Sequence, residues 1–187
     1  MNTRYHVFET KLGFAGIAWN DDGIVRFRLP DPDRAAAEKQ FGKAEPADPP
    51  PAVAAVIDQA KRYFAGERID FTPIDLDLKG VDPFRRAIYE ALRKVGFGET
   101  VTYGELARRA GAAEPQAAQD VGVAMARNPV PLIIPCHRVL AAGGSVAGSA
   151  LPNCFTAASR SGSGRRKRVI LSSFQAMPAK PSLVSNT

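Results

Sequence analysis

The 187-residue sequence predicts an α+β fold: a small sheet-and-helix domain, a second domain of short helices, and an irregular tail. Three observations carry this. Aromatic and β-branched residues around strong turn chemistry open the chain, capped amphipathic helices punctuated by Gly and Pro fill the middle, and the composition changes abruptly after residue 140.

"YHVFETKLGFAGIAW" and "GIVRFRLP" flank "NDDG", which predicts a β-hairpin. "DRAAAEKQFG" and "PPAVAAVIDQAKRYFAG" carry helix formers on either side of a proline-rich connector, "KAEPADPPP", with Gly66 placed as a stop. "IDFTPIDLDL" alternates like a half-exposed strand. In "GVDPFRRAIYEALRKVGFGE", Asp82 is the expected N-cap and Pro83 the first helical residue. Phe84, Ile88, Leu92 and Val95 form its apolar stripe. "TYGELARRAG" predicts a helix from Thr102 to Gly111, and "PQAAQDVGVAMAR" one opened by Pro115 and closed before Asn128-Pro129. Three short helices followed by an apolar run suit a helix-turn-helix with a β-wing.

The net charge of +6 suggests a nucleic-acid partner until it is located. Residues 1–140 hold 19 Lys and Arg against all 19 Asp and Glu, whereas residues 141–187 hold six basic residues and no acid. Serine behaves the same way, with none before residue 141 and nine after it. "SRSGSGRRKR" is low-complexity and disorder-prone. No run reaches the ~18 to 20 apolar residues that span a bilayer. The N-terminus has no basic and apolar pattern of a secretion signal. Two cysteines are too few for a disulfide framework and point to free thiols in a reducing compartment. His6, among hairpin aromatics, is expected to be structural or exposed.

In "PVPLIIPCHRVL", residues 129–140, Cys136 precedes His137. On a regular strand, neighbouring side chains face opposite ways, so thiol and imidazole would not meet. Pro135 predicts a break that lets both reach one cavity, where imidazole, directly or through water, could take the thiol proton. Arg138 has three open readings: phosphate contact, partner charge for a thiolate, or structural pin. Asn128 can bond a backbone carbonyl or a ligand. Tyr103 fits a packed aromatic with a wet hydroxyl. The small residues Ala117, Ala118, Val121, Gly122 and Ala124 would let their helix approach either a groove or another helix.

The segment "NPVPLIIPCHRV", with "DPFRRAIYEALRKVGFGETVTYGELARRAG" and "AAQDVGVAMARNP" before it, resembles the O6-alkylguanine-DNA alkyltransferase family closely over residues 81–140. The N-terminal part resembles that family's ribonuclease-H-like domain in outline. The resemblance implies domains at 1–78 (ribonuclease-H-like) and 79–148 (winged helix-turn-helix with the active site), ahead of an atypical, disordered tail at 149–187. It implies DNA repair by a suicide enzyme. An alkyl group moves once, from O6-alkylguanine, or O4-alkylthymine, in double-stranded DNA to Cys136. The implied protein is a cytoplasmic monomer, nucleoid-associated if bacterial, that binds through the minor groove and needs no cofactor or metal.

By matched position, Cys136 is the nucleophile, His137 the base acting through water, and Asn128 the residue orienting the loop. Tyr103 would crowd the target phosphate, and Val139 would line the pocket with its amide as donor. Ala118, Gln119, Gly122 and Arg138 would face DNA. Three features depart from the family pattern. Gln119 stands at the arginine-finger position, "AGSALPNCF" replaces the loop that closes the pocket, and no acid after Asp120 can complete a Cys-His-Glu chain. A reading-frame change near residues 145–150 would account for the last two. The alternative functions are a non-catalytic alkylated-DNA binder and an inactive frameshifted product.

Overall fold

The computed structural model describes residues 2–112, 114 and 116–141. Strands β1 (Arg4–Thr10), β2 (Gly13–Asn20) and β3 (Gly23–Asp31) form an antiparallel meander, and β4 (Glu45–Pro46) adds in parallel to β1, giving the order β3-β2-β1-β4. The expected hairpin is thus three strands. The "NDDG" turn lies where expected, with Asn20 paired to Gly23. The first turn went unread because Lys11-Leu12 carries no turn signal. It is held by Gly13 at φ 123° and by Thr10, whose hydroxyl donates to the Gly13 carbonyl at 2.7 Å.

Side-chain alternation sorts the sheet residues to two faces. Val7 and Ala18 pack with Ala37 of α1 (Arg34–Lys39) and with Phe41, while Phe8, Ile17, Trp19 and Phe27 join the buried face of α2 (Pro51–Phe64). The strand expected over "IDFTPIDLDL" does not form; one bridge, Leu76 to Ile24, is all that pairs. Pro73 has no N–H to donate, and the Asp70 and Asp77 carboxylates accept from the amides of Thr72 and Lys79, turning the chain locally.

The second half matches its local signals closely. Helix α3 (Pro83–Arg93) starts at Asp82, whose carboxylate accepts from the Arg85 amide at 2.9 Å. Helix α4 (Tyr103–Arg109) starts at Thr102, which accepts from Glu105, and ends at Gly111 with φ 86°. Helix α5 (Ala117–Ala126) then leads into an apolar loop. Ile88, Leu92 and Val95 are buried as expected, but Phe84 is 37% exposed. It sits in the first turn of α3, at the edge of the stripe. The apolar run 130–135 is no strand and holds one isolated bridge, Pro131 to Ile134; the second sheet is the two-residue parallel pair β5 (Val101–Thr102) and β6 (Val139–Leu140).

One apolar core joins the two halves, running from Phe27 and Tyr63 through Tyr89 and Leu92 to Val130 and Cys136. Tyr89 ties α3 to α5, its hydroxyl donating to the Ala124 carbonyl at 2.7 Å. The disordered tail expected at 149–187, and the frame change proposed to explain it, lie outside the described residues. Tyr89→Phe keeps the ring and loses this bond; equilibrium urea unfolding should show a loss of about 1 kcal/mol.

Candidate active site

The site is built by a loop that folds back on itself. Asn128, two residues beyond α5, accepts from the Val130 amide through Oδ1 at 3.0 Å and donates through Nδ2 to the Ile134 carbonyl at 2.9 Å. The Ile134 amide donates to the Val130 carbonyl at 2.9 Å, which closes the loop. At its tip, Leu132 adopts φ 80°, a strained setting for a branched side chain, and is held there by near-complete burial. The Phe27 amide of β3 donates to the Pro129 carbonyl at 3.0 Å, fastening the loop to the N-terminal sheet.

Pro135 then breaks the chain direction, as the sequence predicts, and Cys136–Arg138 form a 3₁₀ turn. The Cys136 amide donates to the Ile134 carbonyl at 2.8 Å. Only 3% of Cys136 is exposed. The expectation of free thiols is not met: Cys136 is disulfide-bonded, and no described cysteine is free.

His137 meets Tyr63 at the end of α2, with its Nε2 3.3 Å from the phenolic oxygen and ring centroids 6.5 Å apart. Some of the residue reaches the surface, but protein encloses the imidazole. Burial, and then the positive charge of Arg138, push its pKa down to about 3, so the ring is neutral at physiological pH. The contacts of Arg138 fit the structural pin among its three readings. It turns inward, donates to the Val95 carbonyl at 2.6 Å and lies 5.8 Å from the centre of the Phe97 ring. Val139 is fully buried, and its amide closes the 3₁₀ turn onto the Cys136 carbonyl. The donor expected to point at a substrate is already engaged, because a 3₁₀ turn needs that bond.

The outer face of α5 carries Gln119, which accepts from Gln116 at 2.7 Å, and partly exposed Ala118 and Gly122. Val123, 49% exposed and one turn beyond Gln119, shares this face and was missed by sequence reasoning. Helical periodicity was the available signal. The Tyr103 ring lies against Gly122, since a Cβ at Gly122 would sit 4.0 Å from Tyr103 Cε1. Its buried hydroxyl has no hydrogen-bond partner among the described residues. Burial raises the Tyr103 pKa, so the phenol stays protonated and able to donate.

Tyr63 is the other residue missed. Nothing in "KRYFAG" distinguishes it from an ordinary buried position, and only the fold brings it to His137. His6 is structural as expected, with Nδ1 3.3 Å from the Ala47 carbonyl. The cleft between the β2–β3 turn and α2, lined by Asn20, Gln59 and Asp75 among others, does not include Cys136. Among the described residues, no three His, Cys, Asp or Glu side chains gather as a metal site.

Comparison with known proteins accounts for this arrangement. Residues 3–78 match the ribonuclease-like domain of 6-O-methylguanine DNA methyltransferase, and residues 83–172 match its DNA-binding domain. The second match continues past residue 141, beyond where the motifs alone set the end of the resemblance. A Mycolicibacterium paratuberculosis methylated-DNA–protein-cysteine methyltransferase is 36% identical over 144 residues, which cover 77% of this chain and 82% of that one. A Methanosarcina acetivorans protein of the same name is 33% identical over 153 residues, covering 78% and 88%. The crystal structure of Mycobacterium tuberculosis OGT in complex with DNA superposes with a TM-score of 0.64 at 29% identity, covering 94% of this chain and 95% of that one. The chain belongs to the 6-O-methylguanine DNA methyltransferase family.

Proposed function

We propose that this chain repairs double-stranded DNA by taking the alkyl group from O6 of an alkylated guanine, or O4 of an alkylated thymine, onto reduced Cys136, once per molecule. The observation that carries the reading is the Asn128-closed loop after α5, which sets Cys136 and His137 on one 3₁₀ turn at its end. Residues 1–78 are assigned as the ribonuclease-like domain and 79–148 as the winged helix-turn-helix domain. The protein acts as a monomer in the cytoplasm, beside the DNA. No helix among the described residues is long and apolar enough to cross a membrane. The non-catalytic alternative is not favoured: the relatives are named as methyltransferases, and Cys136 is retained.

In this reading, α5 enters the minor groove with Ala118, Gln119, Gly122 and Val123 outward, and the damaged base leaves the stack toward Cys136. Extrusion is required because O6 lies inside the base pair, and a lesion weakens that pair. Tyr103, protonated and unpartnered, supplies a hydrogen bond to the extruded nucleotide. The new bond joins Sγ to the alkyl carbon as the carbon–O6 bond breaks, and its electron pair stays on the guanine. The thiol proton passes through water and His137 to that guanine, which departs as the normal base. Only a neutral imidazole has a ring nitrogen able to accept a proton, and the buried ring is in that form. The thioether left on Cys136 has no good leaving group, so turnover ends there.

Mass spectrometry of reduced protein incubated with O6-methylguanine duplex should show one added methyl group on Cys136, and Cys136→Ser should show none; wild type without an adduct overturns the reading. Because His137 remains neutral, the transfer rate should show no acid limb centred near pH 6.5. The same group destabilises the fold in acid. Its folded pKa lies below the ordinary 6.5, so the unfolded chain binds the proton more readily, and stability present above pH 6.5 is lost as pH falls toward 3. Chemical denaturation should show about 2 kcal/mol lost between pH 6.5 and 4.5, a slope that His137→Gln removes. Gln119→Arg should tighten duplex binding and steepen its log–log salt dependence by about one unit.

A further inference from the structure

We propose that Val123 is a specificity-determining residue for the transfer reaction: it meets the minor-groove floor beside the lesion and makes repair faster where the flanking pairs are A·T than where they are G·C. The inference rests on the function proposed above and deepens it. Val123 is 49% exposed, more open than Phe84, the other exposed large apolar side chain among the described residues. Over residues 116–127 the exposed positions are Gln116, Gln119, Val123 and Arg127, and the last three form one ridge at four-residue spacing. Val123 stands on the crest of that ridge. The next row holds only the small, half-buried Ala118 and Gly122, so the isopropyl group projects beyond it.

What such a crest meets depends on base sequence. The minor groove is only about 6 Å wide, so a helix enters it by its crest while the small residues beside the crest clear the walls. Four residues of helix rise about 6 Å and successive pairs about 3.4 Å, so with Gln119 at the extruded base Val123 covers pairs within about two steps of the lesion. Both kinds of pair present acceptors on that floor, and G·C adds the guanine 2-amino donor. Beneath Val123 this amino group loses its water and gains no partner, and it holds the isopropyl group off the floor. Asp120, the nearest carboxylate in sequence, lies off the crest and is only partly exposed. An A·T pair has no such group, so the same side chain packs against it without leaving a donor unpaired.

Single-turnover assays on reduced protein test this, with O6-methylguanine duplexes whose two pairs on each side of the lesion are A·T, G·C or inosine·cytosine, the last lacking the 2-amino group. Wild type should transfer methyl about five-fold faster with A·T or inosine·cytosine flanks than with G·C flanks, the size of one lost hydrogen bond. Weaker pairs also ease extrusion whatever side chain stands at 123, so the deciding quantity is how the ratio changes on substitution. Val123→Thr keeps the branched shape and adds a hydroxyl that accepts from the amino group; it should cut the ratio about three-fold. Val123→Ala removes the bulk and should lower the ratio as well. The side chain is half in solvent, so both variants should melt at the wild-type temperature. A wild-type ratio near one overturns the inference and leaves the repair reading intact, and so does a ratio that neither variant changes. Wild type that gains no methyl overturns the repair reading. Equilibrium binding to the same duplexes then decides whether Val123 meets the groove floor: equal affinity for inosine·cytosine and G·C flanks overturns it, and a preference that Val123→Thr removes supports it.

Discussion

The site depends on how a short apolar loop is closed. Residues 129–135 offer little polar side-chain chemistry, and three of them are prolines, so the loop has few means of satisfying its own backbone. Asn128 supplies one donor and one acceptor from a single amide group and closes the loop across its neck. The loop's apolar side chains then fill the core, and that burial holds Leu132 in a conformation it would not choose alone. Pro135 turns the chain out of this closed loop. Cys136 and His137 consequently stand on a 3₁₀ turn rather than on opposite faces of a strand.

The N-terminal half is part of this support. Its sheet fastens the loop through the Phe27 amide, its second helix delivers Tyr63 to His137, and the apolar core runs unbroken from β3 to Val139. A domain with no nucleophile of its own thereby determines how rigidly the nucleophile is held. Desolvation follows from the same packing: enclosing the imidazole keeps it neutral, which suits a group that relays a proton and makes acid conditions costly for the fold.

Much of the second half was legible because its signals are local. Asp82-Pro83, Thr102 and Gly111 each act on amides or dihedrals within a few residues, and each does so where expected. The break at Pro135 is of the same kind. Readings failed where the outcome depended on partners distant in sequence. "IDFTPIDLDL" alternates like a strand, yet its Pro and Asp residues compete with the ladder and only one bridge survives. Phe84 belongs to an apolar stripe by spacing but finds no core beneath it. The partners of Arg138 and of the Val139 amide, the carbonyls of Val95 and Cys136, were likewise not named from the sequence.

By itself, the sequence determined the capped helices, the turn after β2, the prolyl break and the adjacency of thiol and imidazole, since all of these rest on interactions spanning a few residues. The tertiary structure alone decided which groups surround that pair. Tyr63 lies 74 residues from His137 and Val95 lies 43 from Arg138, and no local preference encodes either meeting. The imidazole's neutrality is likewise tertiary, because desolvation belongs to the packed surroundings and not to the residue.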